Sequence, residues 1–346
     1  MDELQTEDMV RIIKIIKPGL AEKQLVPGMS RFIFTGDDIV TFNGGVCVHH
    51  PLQISFKCSV NAEEFIKIIN KLKTKTMNLE EKEGHLHLTS GKVRARFSTK
   101  AETEKVTEMV GSVFAEIAAE NAEWQEIDAE FKKGVSMVTP SASKNRQKGT
   151  QCCLHVHENC LMCSDGKRLA IYELEKPPSP FLVEASEISS IVQADVVVNY
   201  YMVTESWIHL QDENQVVFSV RKRTGEFPYD HIFKIITEFP TDAIIKLPAE
   251  FAKAIDTASI FTEEEGKIDI TVNNTEMTCQ GKSITGEVSY LLDDFSYDGE
   301  EFTFPVNQSW IVEVLKGRSE MMVDRENHRV MFSDLPFTYV VSMKRR

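Results

Sequence analysis

The sequence predicts an α+β protein built from three similar units, each packing helices on antiparallel strands. Three observations lead there. The segments VNAEEFIKIINKL, VEASEISSIV and VNQSWIVEVLKG, near residues 60, 183 and 305, each place a polar cap before a short amphipathic helix, and they recur about 120 residues apart. Each is followed by runs of β-branched and aromatic residues around turns, the signature of hairpins. The length of 346 residues, with 42% hydrophobic residues, suits two or three domains with packed cores and excludes wholesale disorder.

Taken in order, the first helix is expected over residues 7–17. Arg11, Lys14 and Lys17 recur every three residues among Ile12, Ile13, Ile15 and Ile16, and Pro18-Gly19 ends the helix. The second runs from Asn61 to Leu72, with Phe65, Ile66, Ile69 and Leu72 on one face and Lys67 and Lys71 on the other. HLHLTSGKVRARFST reads as the hairpin after it. Residues 100–126 are polar and weakly periodic and read as a surface excursion. A helix over about 126–139 opens the second unit, CCLHVHENCLMCS forms a hairpin, and WIHLQDENQVVFSVRKRTG forms another. In the third unit FAKAIDTASIF gives a helix within 248–261, and MMVDRENHRVMFSDLPFTYVV gives the closing strands. Boundaries near 122 and 241 divide the chain into 1–122, 123–240 and 241–346. The second junction, TEFPTDAIIKLP, is short and apolar enough to dock.

Charge and motifs narrow the function. The formal charge is -14, from 39 Lys plus Arg against 53 Asp plus Glu, yet nucleic-acid binding depends on where cations gather, and here they gather on the first two helices. No apolar run approaches the roughly 18 residues that cross a bilayer, and the acidic start MDELQTEDMV lacks the positive region of a signal peptide. A cytoplasmic protein with no membrane partner is expected. Seven cysteines, an odd number spread over a long chain, are expected as free thiols. Cys160-x-x-Cys163, with Cys152, Cys153, His155 and His157, has a zinc-like spacing, and a zinc-dependent nucleic-acid enzyme is one alternative reading. Strand alternation explains the same residues without metal, sending Cys153 and His155 to one face. Gln280-Gly281-Lys282-Ser283 lacks the earlier glycine of a phosphate loop, and no segment assembles a nucleophile, a base and an orienting group. No cofactor and no catalysis are expected.

Four segments resemble the three-domain bacterial-type β sliding clamp, the DNA polymerase III β-subunit family. SDGKRLA, 164–170, is similar to that family's Thr-Asp-Gly-His-Arg-Leu-Ala, with Ser164 and Lys167 departing. GEFPYD, 225–230, is similar to Gly-x-Phe-Pro-Asp-Tyr with the last two residue types exchanged. GKVRARFST, 91–99, resembles the closing hairpin of the first domain. YVVSMKRR resembles the terminal Tyr-x-x-Met-Pro-x-Arg-Leu strand, with Ser342 and Met343 in place of Met-Pro. Such departures suit a clamp that serves a different polymerase, from a virus or mobile element.

The resemblance implies the DNA clamp fold: three domains in an arc, two arcs head to tail in a homodimeric ring around duplex DNA, helices lining the hole. It implies a processivity factor that binds double-stranded DNA without reading sequence and engages a DNA polymerase and a clamp loader. Its partner-peptide cleft would use Ser164, Gly166, Lys167, Arg168, Leu169, Pro228, Phe233, Val340, Val341 and Ser342. Leu169, Pro228, Phe233 and the valines would supply an apolar groove, and Arg168 a polar anchor. DNA would meet Lys23 and the basic turn Lys144, Arg146 and Lys148, with Arg11, Lys14, Lys67 and Lys71 as general electrostatic lining. A monomeric clamp-like recruitment scaffold is the other alternative.

Overall fold

The computed structural model describes residues 2–21, 26, 28–99, 104–119, 123–194, 196–240, 244–262, 266–312, 314–315 and 319–343. The first run of elements is β1 (Asp2–Gln5), α1 (Thr6–Ile16), β2 (Arg31–Phe34), β3 (Asp38–Phe42), β4 (Val46–Pro51), β5 (Cys58–Asn61), α2 (Ala62–Ile69), β6 (Thr76–Lys82), β7 (His85–Ser90) and β8 (Val93–Ser98). After α3 (Glu104–Ile117) the same order returns as β9 (Gln125–Glu126), α4 (Phe131–Val138), β10 (Cys153–His157), β11 (Cys160–Ser164), β12 (Arg168–Glu173), β13 (Phe181–Glu184), α5 (Ala185–Val192), β14 (Val198–Val203), β15 (Trp207–Asp212) and β16 (Val217–Arg221). After α6 (Tyr229–Thr237) it returns again as β17 (Ile244–Lys246), α7 (Phe251–Ser259), β18 (Lys267–Val272), β19 (Met277–Ser283), β20 (Gly286–Leu292), β21 (Phe302–Asn307), α8 (Gln308–Val312), β22 (Glu320–Asp324), β23 (Arg329–Asp334) and β24 (Phe337–Ser342). Strand, helix, four strands, helix, three strands thus occurs three times.

These elements gather into two compact units. One comprises residues 1–136, 156–158 and 175–224, the other 137–155, 159–174 and 225–346. In the first, one antiparallel sheet runs β1-β6-β7-β8 and the other β5-β2-β3-β4-β16-β15-β14-β9. Its seam is β4 against β16, with Val217 opposite His49 and Val220 opposite Val46. In the second, one sheet runs β20-β19-β18-β21, and the other includes β10-β11-β12-β24-β23-β22-β17. There the seam is β12 against β24, with Leu169 opposite Val340.

The first two helices form where the apolar spacing placed them. α1 buries Met9, Ile12, Ile13, Ile15 and Ile16 and leaves Arg11 and Lys14 exposed, and Lys17-Pro18-Gly19 closes it as a 3-10 turn. α2 packs beside α1; Asn61 caps it by accepting from the Glu64 amide at 3.0 Å, and Phe65 and Ile69 are buried. The cationic character is local. Lys67 pairs with Glu63, α5 carries neither Lys nor Arg, and the described part of α8 carries none.

Two expectations fail. The helix expected from residue 126 starts at Phe131, because Gln125 and Glu126 pair as a strand with Tyr201 and Tyr200. Residues 104–117, expected as a surface excursion, form α3, whose Val106, Val110 and Val113 are buried against Met29, Val40, Phe42, Cys47 and Trp207. The stripe follows helical spacing, but Gly111 and the intervening charged and hydroxyl residues dilute it in sequence.

Candidate functional site

The candidate cleft begins at the turn from Ser164 to Arg168. Asp165 Oδ1 accepts from the amides of Lys167 (2.9 Å) and Arg168 (2.8 Å), and Ser164 Oγ donates to the Arg168 carbonyl at 2.8 Å. Gly166 has φ +83°, the left-handed region that a side chain would strain. The turn delivers β12 beside β24, and the Ser342 amide closes the end of the pair on the Lys167 carbonyl at 2.8 Å.

Alternation then sorts the expected wall residues by face. Leu169 and Val340 share one face with Met162, Ile171 and Met331, and α6 lies over them through Ile232, Ile235 and Ile236. Only 5% of Leu169 and 4% of Val340 remain exposed. Val341 and Arg168 point to the opposite face. Val341 is fully buried there, so it does not line the same groove as Val340, a correction that period-two alternation dictates. Arg168 is engaged: its Nε meets Asp165 Oδ2 at 3.0 Å and its guanidinium lies 5.4 Å from the Trp310 ring centre. The Lys167 ammonium lies 5.9 Å from the same ring. Both cations sit on an aromatic face instead of reaching into the groove.

What is open at this site is aromatic. Phe233 is 45% exposed and stacks on Tyr229 at 5.8 Å with rings 16° apart, and Pro228 is exposed beside them. Phe227 packs at 4.6 Å on the ring of His155. The sequence reading missed Phe227, Tyr229, Met331 and Trp310. Tyr229 was within reach, since it is the residue exchanged in GEFPYD.

The other candidates fall as follows. Lys144, Arg146 and Lys148 are exposed, Lys144 just before and the other two on a 3-10 turn whose start is fixed by Asn145 Oδ1 accepting from the Gln147 amide at 3.0 Å. Lys144 and Lys148 make no ion pair with a described residue. Those three belong to the second unit; Arg11, Lys14, Lys67 and Lys71 belong to the first. Lys23 lies outside the described residues. The cysteine and histidine segment forms the β10–β11 hairpin, and burial raises the Cys163 thiol pKa well above its ordinary value, with Cys153 adding to the shift. Among the described residues no three His, Cys, Asp or Glu side chains gather as a metal site, and no disulfide forms.

A turn of the same construction sits in the first unit. Asn43 Oδ1 accepts from the amides of Gly45 (3.0 Å) and Val46 (2.7 Å), Gly44 has φ +96°, and the Arg221 amide meets the Gly45 carbonyl at 2.8 Å. Cys47 opposite Ser219 there matches Leu169 opposite Val340. The element order, the sheet seams and this repeated turn describe one known architecture. The fold is that of the bacterial β sliding clamp. The chain is similar to the DNA polymerase III β subunit of Pseudomonas aeruginosa, with TM-score 0.80, 15% identity and 99% of each chain covered. The β subunit of Thermotoga maritima gives TM-score 0.79 and 19% identity over 99% of each chain. The β sliding clamp of C. crescentus gives TM-score 0.83 and 15% identity, covering 99% of this chain and 98% of that one. No protein-family model and no curated protein matches the sequence. The clamp fold carries no helix among its described residues that is long and apolar enough to cross a membrane.

Proposed function

We propose that this protein is a sliding clamp: a non-catalytic processivity factor that encircles duplex DNA and tethers a DNA polymerase. The observation that carries the reading is whole-chain: the clamp fold matches from end to end, with 99% of both chains covered. In this reading the three runs of elements are three domains, 1–122, 123–240 and 241–346, and two chains close head to tail into a ring acting in the cytoplasm. Edge strands suit closure. β8 ends one sheet of the first unit with Arg94 and Arg96 outward, and β20 ends one sheet of the second with Glu287 outward and Asp293 and Asp294 just beyond. A cationic edge and an acidic edge pair productively in one polarity and repel their own kind.

Phosphates would be held loosely by Lys23, Lys144, Arg146 and Lys148, with Arg11, Lys14, Lys67 and Lys71 adding a general field. Charge without base contacts permits sliding. Polymerase and loader would dock by short peptides on the surface around Gly166, Lys167, Pro228 and Phe233. A topological tether makes each rebinding intramolecular, so a weak contact suffices for long synthesis.

The test is topological. Protein assembled on a nicked circular duplex should stay bound at high salt, where electrostatic binding fades, and should leave once the circle is cut. Equal loss from circle and linear DNA would replace the ring with the monomeric scaffold. Sedimentation at micromolar concentration should show two chains.

A further inference from the structure

The first unit contains a cavity of about 710 Å³ of whose lining the clamp reading uses only Arg11. Met9, Ile12, Leu52, Val196 and Val216 form an apolar floor, and the volume lies in the range of ligand pockets. One bank is α1 and the residue before it, with Gln5, Asp8 and Arg11 exposed; the other carries Val197, Glu213 and Asn214, also exposed. The cavity is therefore a trough open along its length, shaped for a passing chain more than for an enclosed small molecule. Val197, 68% exposed, offers apolar surface at the rim.

The polar groups favour a donor-bearing cation. Asp8 and Glu213 form no ion pair among the described residues, and Asp212 adds a third carboxylate against the single guanidinium of Arg11. Asp212 is already occupied by the amides of Asn214 and Val216, both at 2.8 Å, so Asp8 and Glu213 are the carboxylates left for a guest. His50 Nδ1 donates to the Pro51 carbonyl at 2.8 Å, which leaves Nε2 as an acceptor. Burial, opposed by the hydrogen bond to the Pro51 carbonyl and by Asp212, lowers the His50 pKa and keeps that lone pair available at neutral pH.

We propose that this trough binds a short peptide segment of a partner protein in which a lysine or arginine is flanked by aliphatic residues, the aliphatic side chains on the Met9–Ile12–Val216 floor and the cation between Asp8 and Glu213. The site is separate from the candidate cleft, whose residues all belong to the second unit.

Calorimetric titration of the full chain with acetyl-Ile-Arg-Leu amide and acetyl-Ile-Glu-Leu amide tests this. The arginine peptide should bind saturably, one per chain, about tenfold tighter than the glutamate peptide at low salt. Asp8→Asn with Glu213→Gln should weaken it about fivefold, and raising salt should narrow the difference between the peptides. No saturable binding, equal affinity for the two peptides, or an unchanged affinity in the double variant would overturn the proposal. Should the double variant lose its fold, Val197→Ser serves instead, since it removes the apolar rim without adding charge: a basic peptide that binds it as tightly as the unaltered chain cannot be lying along that rim. Neither DNA nor polymerase enters the experiment, so its failure leaves the sliding-clamp reading standing.

Discussion

The face under α3 and the face under α6 share a turn and a strand register but are closed differently. α3 has fourteen residues and inserts Val106, Val110 and Val113, and its Glu116 carboxylate accepts from Thr204 Oγ1 and from the Ser206 amide at 3.1 Å. Burial alone would raise the Glu116 pKa, but those hydrogen bonds outweigh it and the pKa is lowered. Beneath α3 the sheet presents His209, buried and bonded to Ser219 Oγ at 2.7 Å, and His49, whose ring meets Phe114 at 5.1 Å. α6 has nine residues, covers an apolar face of Met162, Leu169, Met331 and Val340, and leaves Phe233 to solvent. The first helix is locked by apolar and polar contacts together; the second rests on apolar contact and displays an aromatic stack. A surface that must exchange partners belongs with the second kind.

The largest expected effect is on the locked side. Val110→Asp buries a carboxylate without a partner and should cost about 3 kcal/mol or more, read by denaturant unfolding together with a red shift of Trp207 emission. A loss under about 1 kcal/mol would mean α3 is not part of that core. Next comes pH. Burial lowers the His209 pKa from 6.5 to about 4, with His49 adding to the shift and Glu116 opposing it. The unfolded chain therefore binds this proton more readily. The contribution is complete above about pH 6.5 and is lost as pH falls toward 4, by at most about 3 kcal/mol. His209→Gln should flatten that slope in melting temperatures taken from pH 7 to 4.5; an unchanged slope would assign it elsewhere.

On the open side the effects are smaller and functional. Lys144→Glu, Arg146→Glu and Lys148→Glu together should weaken DNA association about tenfold at low salt and reduce the salt slope by about three, one for each cation taken away from a phosphate. A slope equal to that of the unaltered chain would remove the turn from the DNA surface. Phe233→Ala should lower polymerase stimulation about fivefold while changing stability by under about 1 kcal/mol, as expected of an exposed side chain. Full stimulation would move the partner site away from the aromatic stack. Removing residues 341–346 is a blunter test, since Val341 and Met343 are buried.

Local signals were legible and coverings were not. The spacing of Ile12, Ile13, Ile15 and Ile16, the Asn61 cap and the alternating hairpins are written within a few residues, and the elements follow them. α3 was hidden because its three valines acquire meaning only against Cys47 and Trp207, far along the chain. Arg168 looked like an anchor because neither its Asp165 partner nor the Trp310 ring could be placed from spacing. Val341 could have been sorted correctly, since it neighbours Val340 on a strand and must face the other way.

The seam between β4 and β16 has a practical consequence. The last strand of one run completes the sheet begun by the run before it, so neither eight-stranded sheet is carried whole by one run of about 120 residues. Cutting the gene after the first run would leave Val46–Pro51 with a bare row of amides and carbonyls, ready to recruit any extended chain nearby. The three runs share two eight-stranded sheets; they are not detachable parts.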